Sequence, residues 1–145
     1  MVNACYDPLR NDITFPAAIL QAPFYSLQQT SSENFGGIGA VIAHEISHAF
    51  DNNGAQFDEL GNINNWWKKE DYATFKKLTQ KMIDEFNDIP YIGKKVDGTL
   101  IVSENIADVG GLRCALEAAK GETDYNAKEF FTNWLVYGEV SQQSN

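Results

Sequence analysis

The chain has 145 residues, of which 43% are hydrophobic, and it carries a formal net charge of −9 from 20 acidic and 11 basic residues. This length and composition predict a single globular domain over residues 1–145 with a core of its own. The excess of acidic residues argues against nucleic acid and anionic membranes as partners, because both are negatively charged. No apolar run approaches the roughly 20 residues of a membrane-spanning helix, so no membrane segment is expected.

The N-terminal region is rich in proline and in residues that favour β structure. Residues 13–15 predict a short extended segment at a sheet edge, ended by Pro16. Cys5 and Cys114 lie far apart and lack metal-ligand spacing. Two free thiols are the first interpretation, and one bridge between them stays open.

The segment AVIAHEISHAFDNNG holds the only two histidines of the chain, His44 and His48. Apolar residues recur around them at three- and four-residue steps, which predicts a helix over residues 36–50. Polar residues follow this helix, and its start is marked by Gly36, Gly37 and Gly39, interpreted as helix breakers. In a helix the two histidines lie about 40° apart on one face, one turn apart along the axis, so they can bind one metal ion.

Residues 54–67 have loop composition. An EF-hand calcium loop is excluded there, because neither Asp51 nor Asp58 is followed by glycine at the sixth and glutamate at the twelfth loop position. Residues 68–87 then predict a packing helix with one apolar and one charged face.

An Asp-Gly pair at residues 97–98 predicts a turn between two short β-like runs, and Ser103 is in place to cap a helix over residues 103–120. Glu104 and Asp108 are four residues apart and therefore share one face of that helix. Taken alone, they are most simply a solvated pair near a helix N-terminus, where negative charge is favourable. Next to two histidines that need a third ligand, they become candidates for the metal site.

His44, His48 and Glu104 match one ligand set of catalytic zinc, two histidines and a glutamate with a fourth position left for water. Glu45, between the histidines, is the candidate catalytic base that accepts a proton from that water. Metal and base together turn water into a nucleophile at neutral pH. The sequence therefore predicts one Zn²⁺ per chain and a hydrolytic site.

Histidines that bind a metal need an acceptor for their second ring nitrogen. Asp51, three residues after His48, is one candidate for this orienting role. Asp108, one turn after Glu104, is the other, and it thereby joins Glu45 as a candidate catalytic residue.

Five segments occur in this order: NACY, FPAAILQAPFY, GGIGAVIAHEISHAFD, WW and SENIADVGGLR. Together they resemble the neprilysin family of zinc metallopeptidases, in its bacterial endopeptidase O type. The resemblance runs over nearly the whole chain, and HExxH followed by ENxxDxGG is its most specific part. It implies a mostly helical α+β, zincin-like (thermolysin-like) catalytic domain that hydrolyses peptide bonds of oligopeptides, with the metal between the helices predicted at 36–50 and 103–120.

The resemblance also implies roles for individual residues. Those of the metal site are the zinc ligands His44, His48 and Glu104, the general base Glu45, and the histidine partners Asp51 and Asp108. Asn3 and Ala4 match the family's pair that binds the substrate backbone, and Cys5 stands where the family has an aromatic residue. The family's next helix matches AKEFFTNWLVYGEV, whose predicted apolar side is Phe130, Phe131, Trp134 and Leu135.

Two parts of the family are missing from the sequence. The family has a histidine and an arginine after the ENxxD helix that stabilise the oxyanion, and no histidine follows His48 here. A large helical lid domain is missing as well. We therefore expect a partial catalytic domain whose partners are the remainder of that domain and the lid. Because one lost oxyanion donor costs about 10²–10³ in rate, the isolated chain is expected to be weakly active or inactive.

The leading hypothesis is a zinc-dependent metalloendopeptidase that acts on oligopeptides through a zinc-activated water. A catalytically silent zinc- or peptide-binding module is the alternative, and a purely structural helical domain, which would bind no metal, is a third. The low cysteine count favours a cytoplasmic bacterial protein, with a surface or secreted parent protein as the other reading.

Overall fold

The computed structural model describes the backbone of residues 3–143 and the side chains of residues 3–136 and 138. The fold is α+β and mostly helical, as predicted. Its strands and helices are, in chain order, β1 (Cys5–Asp7), β2 (Asp12–Thr14), α1 (Ser31–Asn34), α2 (Ala40–Ser47), α3 (Lys69–Phe86), β3 (Pro90–Tyr91), β4 (Lys94–Lys95), α4 (Gly98–Ala119) and α5 (Ala127–Gln143). The predicted domain of residues 1–145 includes residues 1, 2, 144 and 145, which lie outside the described part.

The strands form two separate antiparallel hairpins. In the first, β1 pairs with β2 so that Cys5 lies opposite Thr14. In the second, β3 pairs with β4 and Pro90 lies opposite Lys95. The extended segment predicted at residues 13–15 is β2, displaced by one residue.

One helical run extends from residue 31 to residue 50 and carries the HExxH motif. It begins at a capping box, in which the Thr30 hydroxyl accepts from the Glu33 amide at 3.2 Å and the Glu33 carboxylate accepts from the Thr30 amide at 2.8 Å. A π-helical turn at Phe35–Gly39 leads into α2, and a 3₁₀ turn at His48–Phe50 ends the run. The predicted helix start at residue 36 is therefore more than one turn too late.

The glycines of the predicted helix start, Gly36, Gly37 and Gly39, lie inside this run. Their interpretation as helix breakers is wrong. A Cβ on Gly36 would overlap the backbone carbonyl of Phe130, and a Cβ on Gly37 would overlap that of Phe24. Glycine is needed at these two positions because neighbouring backbones pass too close for a side chain.

Helix α4 begins at Gly98 and not at residue 103. The Asp97 carboxylate accepts a hydrogen bond from the Thr99 amide at 2.9 Å and so caps the helix. The predicted hairpin turn and the β-like run after it are wrong, because this cap starts a helix directly after the Asp-Gly pair. Ser103 lies inside α4 and is not its cap.

Two apolar clusters pack against the helical run that carries HExxH. The first contains Ile38 and Val41 of the HExxH run with Ala4, Ile19 and Phe24. The second joins three helices through Ala40, Ala115, Ala119 and Phe130, with Trp134 packed against it. Of the apolar side predicted for α5, Phe130 and Trp134 pack here, whereas Phe131 and Leu135 are 39% and 62% exposed.

Helices α2 and α4 cross at backbone contact. A Cβ on Gly111 would lie 2.5 Å from the backbone nitrogen of His44 and 2.7 Å from its Cα. At the neighbouring Gly110, a Cβ would lie 2.8 Å from the Ser47 hydroxyl. The two glycines therefore let α4 approach α2 at the histidine motif.

Two other expectations concern thiols and membranes. Cys5 and Cys114 are free thiols and exposed, which agrees with the first interpretation of the sequence. Among the described residues, no helix combines the length and the apolar character that crossing a membrane requires.

We expect Gly111→Ala to lower the free energy of unfolding by about 1–3 kcal/mol, because the added methyl group would push α4 away from α2. The overlap has to outweigh the roughly 1 kcal/mol that alanine gains over glycine in a helix. Urea unfolding followed by circular dichroism measures the change. Gly138→Ala is the matched control, since a Cβ there has no atom of the described residues within 4 Å, and it should keep or slightly raise stability. A Gly111→Ala chain as stable as the control would contradict the close crossing.

Candidate metal centre

Helix α2, the 3₁₀ turn that follows it and helix α4 bring the three predicted metal ligands together. Oε2 of Glu104 lies 3.4 Å from Nε2 of His44 and 3.8 Å from Nε2 of His48. One ligand atom from each residue lies within 4.8 Å of the others. Two atoms bound to one tetrahedral Zn²⁺ at about 2.0–2.2 Å lie roughly 3.3–3.6 Å apart. The three side chains therefore fit a zinc ion with only small adjustments.

The other ring nitrogen of each histidine is held by an acidic residue. Nδ1 of His44 lies 2.8 Å from Oδ1 of Asp108, and Nδ1 of His48 lies 2.7 Å from Oδ2 of Asp51. When Nδ1 carries the proton and donates to the carboxylate, the lone pair of Nε2 is free. Asp51 and Asp108 thus stand where the sequence predicted acceptors, and both Nε2 atoms face Glu104.

Asp51 is 2% exposed, and a buried carboxylate has to be satisfied by donors. Its Oδ1 accepts from the backbone amides of Asn53 at 2.7 Å and Gly54 at 2.8 Å. Its Oδ2 accepts from the Ser103 hydroxyl at 2.5 Å as well as from His48. Sequence reasoning missed Ser103 in this position, because the hydrogen bond joins residues 52 apart and no local pattern announces it.

The electrostatics of the cluster favour positive charge. Burial lowers the pKa of His44, but hydrogen bonds to Asp108 and Glu104 outweigh it and raise this pKa to about 10. The hydrogen bond to Asp51 raises the pKa of His48 against the effect of burial. The hydrogen bond to His44 lowers the pKa of Glu104. Carboxylates that stabilise protons on two imidazoles would stabilise a metal cation in the same place.

Glu45 lies beside the ligands with little contact to solvent. Its exposed fraction is 6%, and burial raises its pKa even though His44 and His48 are close. Together with the ligands, it lines an open cleft of about 370 Å³. Asn3 and Ala4, directly before β1, line the same cleft. The cleft therefore gathers every candidate residue of the site except Asp108, which binds His44 from α4.

Comparison with known proteins identifies the family to which the chain belongs. Residues 3–137 match the model of peptidase family M13. The neutral endopeptidase of Lactococcus lactis subsp. cremoris is 61% identical over 134 residues, which make up 92% of this chain and 21% of that protein. Two solved structures are also similar, PepO from Lactobacillus rhamnosis HN001 and the inhibitor complex of the Mycobacterium tuberculosis zinc metalloprotease Zmp1.

PepO has a TM-score of 0.88 at 52% identity over 94% of this chain and 22% of its own, and Zmp1 has a TM-score of 0.83 at 38% identity over 92% and 23%. These structures confirm the predicted zincin-like fold. The chain spans about a fifth of the length of the relatives it matches. Because the family model covers both the HExxH and the ENxxD motif and nearly the whole length, the chain belongs to peptidase family M13.

Proposed function

We propose that residues 1–145 are part of a single metalloendopeptidase catalytic domain, the part that binds zinc and cleaves peptide bonds of oligopeptides. The observation that carries this proposal is the convergence of His44, His48 and Glu104 on one point, with the buried carboxylate of Glu45 beside them. The names of the relatives, neutral endopeptidase and zinc metalloprotease, support the same activity.

In this proposal His44, His48 and Glu104 hold one Zn²⁺. When bound, the ion supplies Lewis acidity that activates water and polarises the substrate carbonyl. Asp108 and Asp51 keep the two imidazoles in the tautomer and orientation that turn Nε2 towards the ion.

Glu45 moves the proton in the proposed reaction. Its carboxylate takes a proton from the attacking water and delivers it to the nitrogen of the leaving amine. Burial raises the pKa of Glu45, which makes it a stronger base than a solvated glutamate and brings it closer to the working pH.

Asn3 and Ala4 bind the backbone of the peptide substrate. They precede β1 and line the cleft that also contains Glu45, so a peptide beside β1 would pass the metal ligands. The remainder of the catalytic domain and a helical lid domain in the longer protein complete the enzyme. Without the oxyanion donors of that remainder, we expect the isolated chain to be weakly active or inactive.

The first prediction concerns the ligand set. The purified chain should bind one Zn²⁺, and Glu104→Ala should weaken the affinity at least about 100-fold, since loss of outer partners alone costs about 10–100-fold. Metal analysis and competition with a chelator measure both quantities. Glu117→Ala is the matched control, because Glu117 is an exposed acidic residue of the same helix that pairs with Lys120. Equal zinc affinity of the two variants would contradict the role of Glu104.

The second prediction concerns pH. With its pKa raised to about 10, the His44 imidazole is protonated on both nitrogens at pH 6–8. A metal can bind Nε2 only after the proton on Nε2 leaves. Zinc affinity should therefore rise at least about tenfold per pH unit over this range. Calorimetric titration in buffers of different ionisation enthalpy should show release of at least one proton per Zn²⁺. An affinity that is the same at pH 6 and pH 8 would contradict the protonated state.

The third prediction separates an enzyme from a silent binding module. In the Lactococcus lactis neutral endopeptidase, the segment matching this chain would be replaced by residues 3–136 of this chain, because the two are 61% identical. The chimera should hydrolyse a fluorogenic oligopeptide. Glu45→Gln in it should keep the zinc yet lower kcat about 10²–10⁴-fold, because the base is lost. Unchanged hydrolysis in this variant would rule out Glu45 as the base, and an inactive chimera that binds zinc would favour the silent module.

A further inference from the structure

Ser103 is the one partner of the Asp51 side chain, among those identified above, that comes from another helix. The other three donors to this carboxylate are His48, Asn53 and Gly54, all within three residues of Asp51 along the chain. Ser103 belongs to α4 and donates to Oδ2, the same oxygen that accepts from His48. A local loop carboxylate is thereby tied to the helix that carries the third ligand.

Because Ser103 lies next to Glu104 in α4, its hydrogen bond to Asp51 affects where Glu104 is placed. Ser103 directly precedes Glu104, whose side chain is 65% exposed and so is held little by packing. The placement of Glu104 therefore depends on how α4 is set against α2. A serine inside a helix can bond its own helix backbone, but this hydroxyl crosses to Asp51.

Two links connect the histidines to α4. The first is the direct hydrogen bond from His44 to Asp108. The second runs from His48 through Asp51 to Ser103. Because Ser103 and Asp108 stand on the two sides of Glu104 in the sequence of α4, the two links fix the helix on both sides of the ligand.

We propose that Ser103 is a positioning residue of the metal centre. Its hydroxyl holds the Asp51 carboxylate, and through Asp51 it fixes the position of His48 relative to Glu104. This inference rests on the proposed zinc site and extends it. Ser103 itself contacts neither metal nor substrate in this role.

An isosteric pair tests the inference. Ser103→Thr and Ser103→Val have nearly the same shape and differ in the hydroxyl. Because a valine methyl group cannot approach Oδ2 of Asp51 as closely as the hydroxyl does, Ser103→Ala, which adds no bulk, has to show the same loss. We expect Ser103→Val to bind zinc about 10–100-fold more weakly than Ser103→Thr, the size of effect found when outer partners of metal ligands are lost. Chelator competition measures the affinity. The visible spectrum of the Co²⁺-loaded chain reports ligand geometry and should change in Ser103→Val but not in Ser103→Thr.

A third variant controls for the loss of a half-buried hydroxyl in general. Ser26→Ala removes a half-buried hydroxyl that donates to the Gln28 side chain and accepts from the Gln28 backbone amide, away from the helix crossing and the residues that line the cleft. It should keep zinc affinity within about threefold, while Ser103→Ala should lose about 10–100-fold. Urea unfolding of each metal-free variant compares their stabilities.

The outcomes separate this inference from the function on which it rests. If the unaltered chain binds no zinc, the metal centre is wrong and the inference falls with it. If the unaltered chain binds zinc and Ser103→Val matches Ser103→Thr in affinity and Co²⁺ spectrum, only the role of Ser103 is overturned. The same holds if Ser26→Ala weakens zinc binding as much as Ser103→Ala does.

Discussion

The close crossing of α2 and α4 is the constraint on which the rest of the structure depends. The histidines lie on the helical run of residues 31–50 and Glu104 lies on α4, so neither element can build the site alone. Gly111, in the same helix as Glu104, lies against the backbone of the ligand residue His44. A side chain at that point would separate the helices and would move Glu104 away from both imidazoles.

The same crossing concentrates negative charge. Four carboxylates, those of Glu45, Asp51, Glu104 and Asp108, surround two imidazoles, and two of these acids are buried. Carboxylates so close together repel one another unless cations lie among them. Hydrogen bonds to acidic residues raise the pKa of both histidines, so protons can supply part of that positive charge. A divalent ion supplies this positive charge at a single point. Loss of protons from the histidines and binding of a metal are therefore coupled.

Sequence reasoning reached the features of this site that follow from helical period. His44 and His48 are one turn apart, as are Glu104 and Asp108, and both spacings predict a shared face. It failed where long-range packing decides. The local sequence indicates helix breakers at Gly36 and Gly37, because the close approach of these residues to Phe130 and Phe24 is visible only in the folded chain. The exposed Phe131 and Leu135 show the same limit, since period alone does not tell which part of an apolar side is covered.

The hydrogen bonds of Asp51 illustrate how the local and long-range parts combine. Of the four donors that the described part of the chain provides, three are fixed by the turn that follows α2, which is why a carboxylate three residues after His48 could be anticipated. The hydrogen bond from the fourth donor, Ser103, forms only when α4 packs against α2. Because a buried carboxylate with an unfilled acceptor position is costly, Asp51 favours the docked arrangement before any ligand arrives. Asp51 thus orients His48 and also stabilises the helix crossing that places Glu104 beside the histidines. The fold therefore holds the metal ligands close together before a metal binds.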